Sequence, residues 1–432
     1  MLIQFSVKNY KTFAEEAKLS MVASKDNKLE DTNIFDSGFG YKLLKTAVIY
    51  GANASGKTKF IEAMNFMWDM IENSNTYQSN RKINVEPFRL NTKNETSPSL
   101  FEVIFIDDNE MYRYGFEVTK EKIIAEWLFM RQNNGKPKEI ELFYRQEQDF
   151  QYHKTKFKIK DLIDNKRIKS NSLLLSVADN ANEKTAQKVF HWITNHWLIT
   201  AGLKTENYFP YTANQLDNND FKNKIINFLK NADLGIQDIN PKFTRLEDLP
   251  KKLQELIKDE DIEDRFISDV FTSRKKFNEL NQLVGQEIFL MNDDESSGTK
   301  KYFILSGLIL DSLENGNVFV IDELDAALHT NLVHQIIQLF HSNITNPKNA
   351  QLIFNTHNTN LLRDNIFRRD QICFTEKNQY GAGILYSLSD FKTDKVRKDD
   401  NYEKNYIEGK YGAIPYLENF EKKLNNTKNG TN

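Results

Sequence analysis

The chain has 432 residues and a single cysteine, Cys373. One thiol excludes an internal disulfide framework and a cysteine-built zinc site, and it fits a reducing cytosol. No sign of charge dominates: 58 basic against 61 acidic residues leave a formal charge of −3. That balance does not advertise nucleic-acid binding, although a local basic patch remains compatible with it. There is no long apolar run. The most apolar window, Tyr302 to Leu310, is far shorter than the ~20 residues of a membrane span. The start, MLIQFSVKNYKTF, alternates apolar and polar residues and lacks the apolar core of a signal peptide. A soluble, cytoplasmic protein without a membrane partner is expected. Neither an internal repeat nor a sustained heptad is present.

What is there reads as an α/β chain. Leu2–Val7 alternates with period two, and a second short strand is expected around Ala17–Val22. The apolar run Leu44–Tyr50 leads directly into GANASGKT, Gly51–Thr58. Phe60, Met64, Met67 and Ile71 then form one helical stripe. Residues 81–160 carry β-rich blocks split by turn signals, the pattern of an antiparallel meander. Residues 161–285 are rich in lysine, asparagine and glutamate with leucine and isoleucine stripes, as in LPKKLQELIKDEDIEDRFISDVF, and predict a helical insertion. α/β character then returns. The division expected is 1–160, 161–285 and 286–432, with one mixed sheet built from both outer segments.

GANASGKT matches the phosphate-loop pattern G-x-x-x-x-G-K-[ST] in full. Gly51 and Gly56 permit a tight loop, and the backbone N–H groups of Asn53, Ala54 and Ser55 turn toward phosphate oxygens, backed by a helix N-terminus. Lys57 would neutralise the β- and γ-phosphates, and Thr58 would give its hydroxyl to Mg²⁺. VFVIDE, Val318–Glu323, is an apolar strand with an acidic end: Asp322 is placed to hold Mg²⁺ and Glu323 to polarise an attacking water. In ESSGTKK, Glu295–Lys301, a Ser-x-Gly turn opens a helix. Ser296 and Gly298 could grip a second phosphate, or Ser296 could simply cap the helix. His357 closes the strand QLIFNTH, on the ligand side of such a sheet. Asp325, in ELDAALH, is a candidate for cross-subunit contact or a helix cap.

These segments, in this order, resemble the head of an ABC-type P-loop ATPase. The start LIQFSVKNYKTF, the loop YGANASGKT, the block EPFRLN at Glu86–Asn91 and the ending IEGKYGAIPYL at Ile407–Leu417 make the chain similar to the stand-alone ATPases of bacterial defence operons. Those are the RloA and AbiLi-like group, neighbours of the OLD ATPases and, more distantly, of RecF and SMC heads. The resemblance implies ATP and Mg²⁺ as cofactors. It implies a homodimer or higher homo-oligomer, with Ser296 and Gly298 of one copy closing over the Lys57 site of another. It also implies a role in antiphage defence beside a separately encoded effector, a nuclease or toxin. Ser297 stands where many such signatures carry glycine. Gln78 lies in the right part of the chain for the glutamine that couples nucleotide to the lobes. An OLD-type nuclease domain is not expected in the residues after His357.

Two further functions stand beside the defence switch. One is a DNA-repair ATPase resembling RecF, which keeps nucleic acid open as a partner. The other is a P-loop kinase or GTPase, in which ESSGT and THN would have no clear task.

Overall fold

The computed structural model describes residues 1–133, 138–200, 205–245, 265–363, 365–392 and 400–415. Two large sheets and one small one organise these residues. The first two strands of the chain, β1 (Leu2–Lys8) and β2 (Ala17–Ser20), precede a short hairpin of β3 (Ile34–Asp36) and β4 (Lys42–Leu44). The strand expected before the glycine loop follows as β5 (Thr46–Gly51), buried along its whole length. The meander is β6 (Ser99–Asp107), β7 (Glu110–Val118), β8 (Ile123–Gln132), β9 (Ile140–Gln146) and β10 (Asp149–Tyr152). It continues through β1 to β2 as one seven-stranded antiparallel sheet.

The segment 161–285, expected to be helical, is mixed. Helices cover Lys184–His196 and Asn219–Lys230, but β11 (Trp197–Thr200) joins the edge of the second large sheet. The strands β12 (Ile236–Arg245), β13 (Arg265–Phe277) and β14 (Leu283–Leu290) form an antiparallel sheet of their own. The reason is physical. From Leu283 to Ile288 every residue of β14 is exposed, and β13 buries the polar Asp269, Thr272 and Ser273 beside Val270. The period-two contrast that betrays a half-buried strand is therefore absent. Most of the charged run that suggested helix, Leu249–Phe271, lies outside the described residues, at positions 249–264.

The second large sheet is completed by β15 (Val318–Ile321), β16 (Gln351–Asn355), β17 (Ile372–Lys377) and β18 (Gly383–Ser387), in the order β11-β15-β16-β5-β17-β18. All neighbours are parallel except β17 and β18. Its strands β5, β15 and β16 are buried on both faces, which is why they read as apolar runs. Ala47, Ile49, Val318, Val320 and Ile353 enter the core shared with the meander and the helix Lys57–Asn73. Val48, Tyr50, Phe319, Ile321, Leu352 and Phe354 enter the core on the opposite face, with the helix Ser297–Asn315. Because β5, β15 and β16 run in register, Gly51, Asp322 and Asn355 come to the same end of the sheet. Among the described residues no helix is long and apolar enough to cross a membrane.

Candidate functional site

The glycine loop leaves β5 at Gly51. A Cβ there would come within 2.4 Å of the Thr375 carbonyl oxygen on the neighbouring strand, so no larger residue fits. Gly56 takes φ 126° and packs under Phe13, and Ala54 is left-handed at φ 61°. Asn53 and Ala54 form the exposed crest. Ser55 turns inward instead, its hydroxyl 2.6 Å from that of Thr375. The helix Lys57–Asn73 starts at once, directing its N-terminal end at the loop. Lys57 folds back under the crest, donating to the carbonyls of Gly51 at 2.8 Å and Ala52 at 3.1 Å. Burial lowers its pKa to about 8, against the pull of Asp322, Glu323 and Asp325. An ammonium so placed is primed for an anionic ligand.

Thr58 and Asp322, distant in sequence, meet here: the threonine hydroxyl donates to the carboxylate at 3.1 Å. Two hard oxygen donors side by side suit magnesium, and they sit directly below the loop. Glu323 follows with φ 53°, a backbone region that non-glycine residues rarely adopt. The residue that accounts for this conformation is Asn355, the last of β16 and fully buried. Its side-chain oxygen accepts the backbone N–H of Glu323 at 2.6 Å, and its amide nitrogen donates to the Asp322 carboxylate. Sequence reasoning missed Asn355. The signal available was a polar residue closing the apolar run Leu352–Phe354, one position before the Thr-His pair.

His357 stands two residues further on, exposed. Burial of its ring first, then the Lys57 cation, lower its pKa, while Asp325, Glu323 and Asp322 pull the other way. A neutral imidazole facing the same cluster can donate or accept one hydrogen bond. Loop, carboxylate pair and histidine thus converge at the C-terminal ends of three adjacent parallel strands.

A family model described as "AAA domain, putative AbiEii toxin, Type IV TA system" matches residues 47–363. The chain belongs to this AAA family. The matched span runs from β5 past His357, so it contains the glycine loop, Asp322, Glu323, Asn355 and His357. Among solved structures the chain is similar to the SMC head domain from Thermotoga maritima. The identity is 13%, covering 89% of this chain and 98% of that one, with a TM-score of 0.39. It is also similar to the recombination mediator RecF with ATPrS, at 14% identity, 90% and 98% coverage and a TM-score of 0.31. No curated protein sequence matches.

Within this AAA domain the turn ESSGT lies apart from the glycine loop's own cleft. Ser296 caps the helix Ser297–Asn315, its hydroxyl accepting the Thr299 N–H at 3.1 Å. Gly298 faces the Ala327 carbonyl, which an added Cβ would approach to 2.7 Å. Asp325 keeps one buried carboxylate oxygen without a hydrogen-bond partner among the described residues. Gln78 is exposed, and its backbone carbonyl accepts from Asn171; it does not join the site. A cleft of about 820 Å³ opens beside the loop, lined by Gly51, Asn53, His357, Tyr406, Ile414 and Pro415 among others. Ser296 and Gly298 are not part of that lining. The ending IEGKYGAIPYL therefore borders the cleft, with Tyr416 and Leu417 outside the described residues. The EPFRLN block lines a second cleft of about 320 Å³ with Lys11, Lys59 and Lys377.

Proposed function

We propose that this chain is a magnesium-dependent ATPase working as a head-to-head dimer, in which each nucleotide lies between the glycine loop of one copy and the ESSGT turn of the other. The contact that carries the reading is Thr58 to Asp322. It brings the threonine hydroxyl that follows the loop to the acidic strand, close to Lys57. In this reading Thr58 and Asp322 hold magnesium, which when bound offsets the charge of the β- and γ-phosphates. Lys57 binds the same phosphates. Glu323 takes a proton from the attacking water, and His357 orients that water or the terminal phosphate. Ser296 is exposed and does not line the chain's own cleft; in this reading the N-terminus of its helix receives a second copy's triphosphate.

At the level of biology we infer an ATP-driven switch in bacterial antiphage defence that restrains or releases a separately encoded effector. The family description, which names a toxin of a toxin–antitoxin system, supports that placement. The test is Glu323→Gln, with MgATP binding, turnover and mass by light scattering measured together. The expected result is retained binding, turnover reduced by about 10² or more, and accumulation of dimers with ATP. Parent-like turnover would remove Glu323 from its role.

A further inference from the structure

The helix that begins at the ESSGT turn carries Lys301, and its ammonium group donates to the backbone carbonyl of Glu323 at 2.8 Å. Lys301 is half-buried. Burial lowers its pKa, opposed by Asp325, Glu323 and Asp322. Nothing in the phosphate-binding role uses this residue. Its place nevertheless bears on the carboxylate that would activate water.

The turn from Glu323 to Ala327 contains two left-handed non-glycine residues, Glu323 at φ 53° and Ala327 at φ 60°. Such residues persist only where surrounding groups hold them. Three holds are visible. Asn355 takes the Glu323 N–H, Lys301 takes the Glu323 carbonyl, and Gly298 gives the Ala327 carbonyl a place that a side chain would fill. Two of the three come from the helix behind ESSGT. The turn that carries Glu323 and the turn that would reach a second copy's nucleotide are therefore braced as one piece.

We propose that Lys301 is a positioning residue that aligns Glu323 from the ESSGT helix, so that seating of ESSGT on a second copy's nucleotide sets the geometry of the same chain's carboxylate. This rests on the dimeric ATPase reading above. It adds that the two nucleotide sites of a dimer communicate through Lys301. A methionine at this position keeps the length and the apolar stem but cannot donate. An arginine keeps the charge and the donor.

The experiment compares Lys301→Met and Lys301→Arg in the full chain. For each, MgATP affinity, turnover and its dependence on ATP concentration are measured. With methionine, turnover falls by about tenfold or more while affinity stays within about threefold, since the phosphate loop is untouched. Any sigmoidal dependence of the parent on ATP becomes hyperbolic. Arginine restores most of the turnover. Three results would each overturn the proposal: turnover within about twofold of the parent in the methionine variant, a loss of affinity that matches the loss of turnover, or failure of arginine to rescue. A methionine variant that no longer binds MgATP overturns it too, because Lys301 would then be holding the fold. The underlying reading fails separately, through parent-like turnover in Glu323→Gln. A dead Glu323→Gln with an unaffected Lys301→Met removes the proposal alone.

Discussion

Asn355 holds Glu323 by its backbone, accepting the N–H at 2.6 Å, and donates with the same amide group to Asp322. One side chain thus ties the Asp322 carboxylate to the backbone of Glu323. Asn355→Leu keeps the volume and removes both bonds. Leaving the Glu323 N–H unsatisfied and removing one of the hydrogen bonds to Asp322 costs about 2–4 kcal/mol in total, read as a lower urea midpoint. Turnover falls by about 10²-fold through misplacement of Glu323, while the phosphate loop still binds nucleotide. A variant with parent stability and turnover would show that the bridge does not position the carboxylates.

Lys57 gives the site a pH dependence. Its pKa is lowered to about 8 by burial, and a bound triphosphate would raise it again. Below pH 8 the ammonium is already formed and binding takes up no proton. Above pH 8 binding must recruit one, so affinity falls as pH rises, by at most about tenfold per unit. Calorimetry at pH 8.5 in buffers of different ionisation enthalpy should show proton uptake that Lys57→Met abolishes. Flat affinity from pH 7 to 9.5 in the parent would contradict the assignment.

Cys373 lies in β17 beside the loop strand, and burial pushes its thiol up to about 12. A thiol so held is protonated and inert near neutrality. The folded protein is expected to resist a thiol reagent, and urea should release one reactive group per chain. Rapid labelling of the native protein would mean that β17 opens readily.

The glycine loop, the acidic strand and the histidine were legible because each is a local pattern: spaced glycines, or a polar group ending a run of buried residues. Their convergence follows from parallel pairing of β5, β15 and β16. Asn355 and Lys301 were not legible as functional. Each acts on Glu323 through a backbone bond formed only when distant segments meet, and neither bond leaves a trace in spacing. The strands β12 and β13 escaped notice for another reason. β13 buries Asp269, Thr272 and Ser273 beside Val270, so polar residues stand where an apolar face is sought, and alternation is the signal by which a strand is read. Ser296 shows the opposite case: helix cap and phosphate grip demand the same residue at the same place, so the motif carried both readings. Within one chain the hydroxyl is a cap.

Mixing two inactive variants tests the shared site most directly. Lys57→Ala removes the loop's cation, and Ser296→Arg blocks the opposing turn; each alone should be nearly inactive. In an equal mixture, half of the dimers carry one intact composite site, so turnover should rise above that of either variant alone, to at most about a quarter of the parent's, with coupling through Lys301 lowering it further. No recovery on mixing, together with parent-like turnover by Ser296→Arg alone, would mean that each copy completes its site without the other.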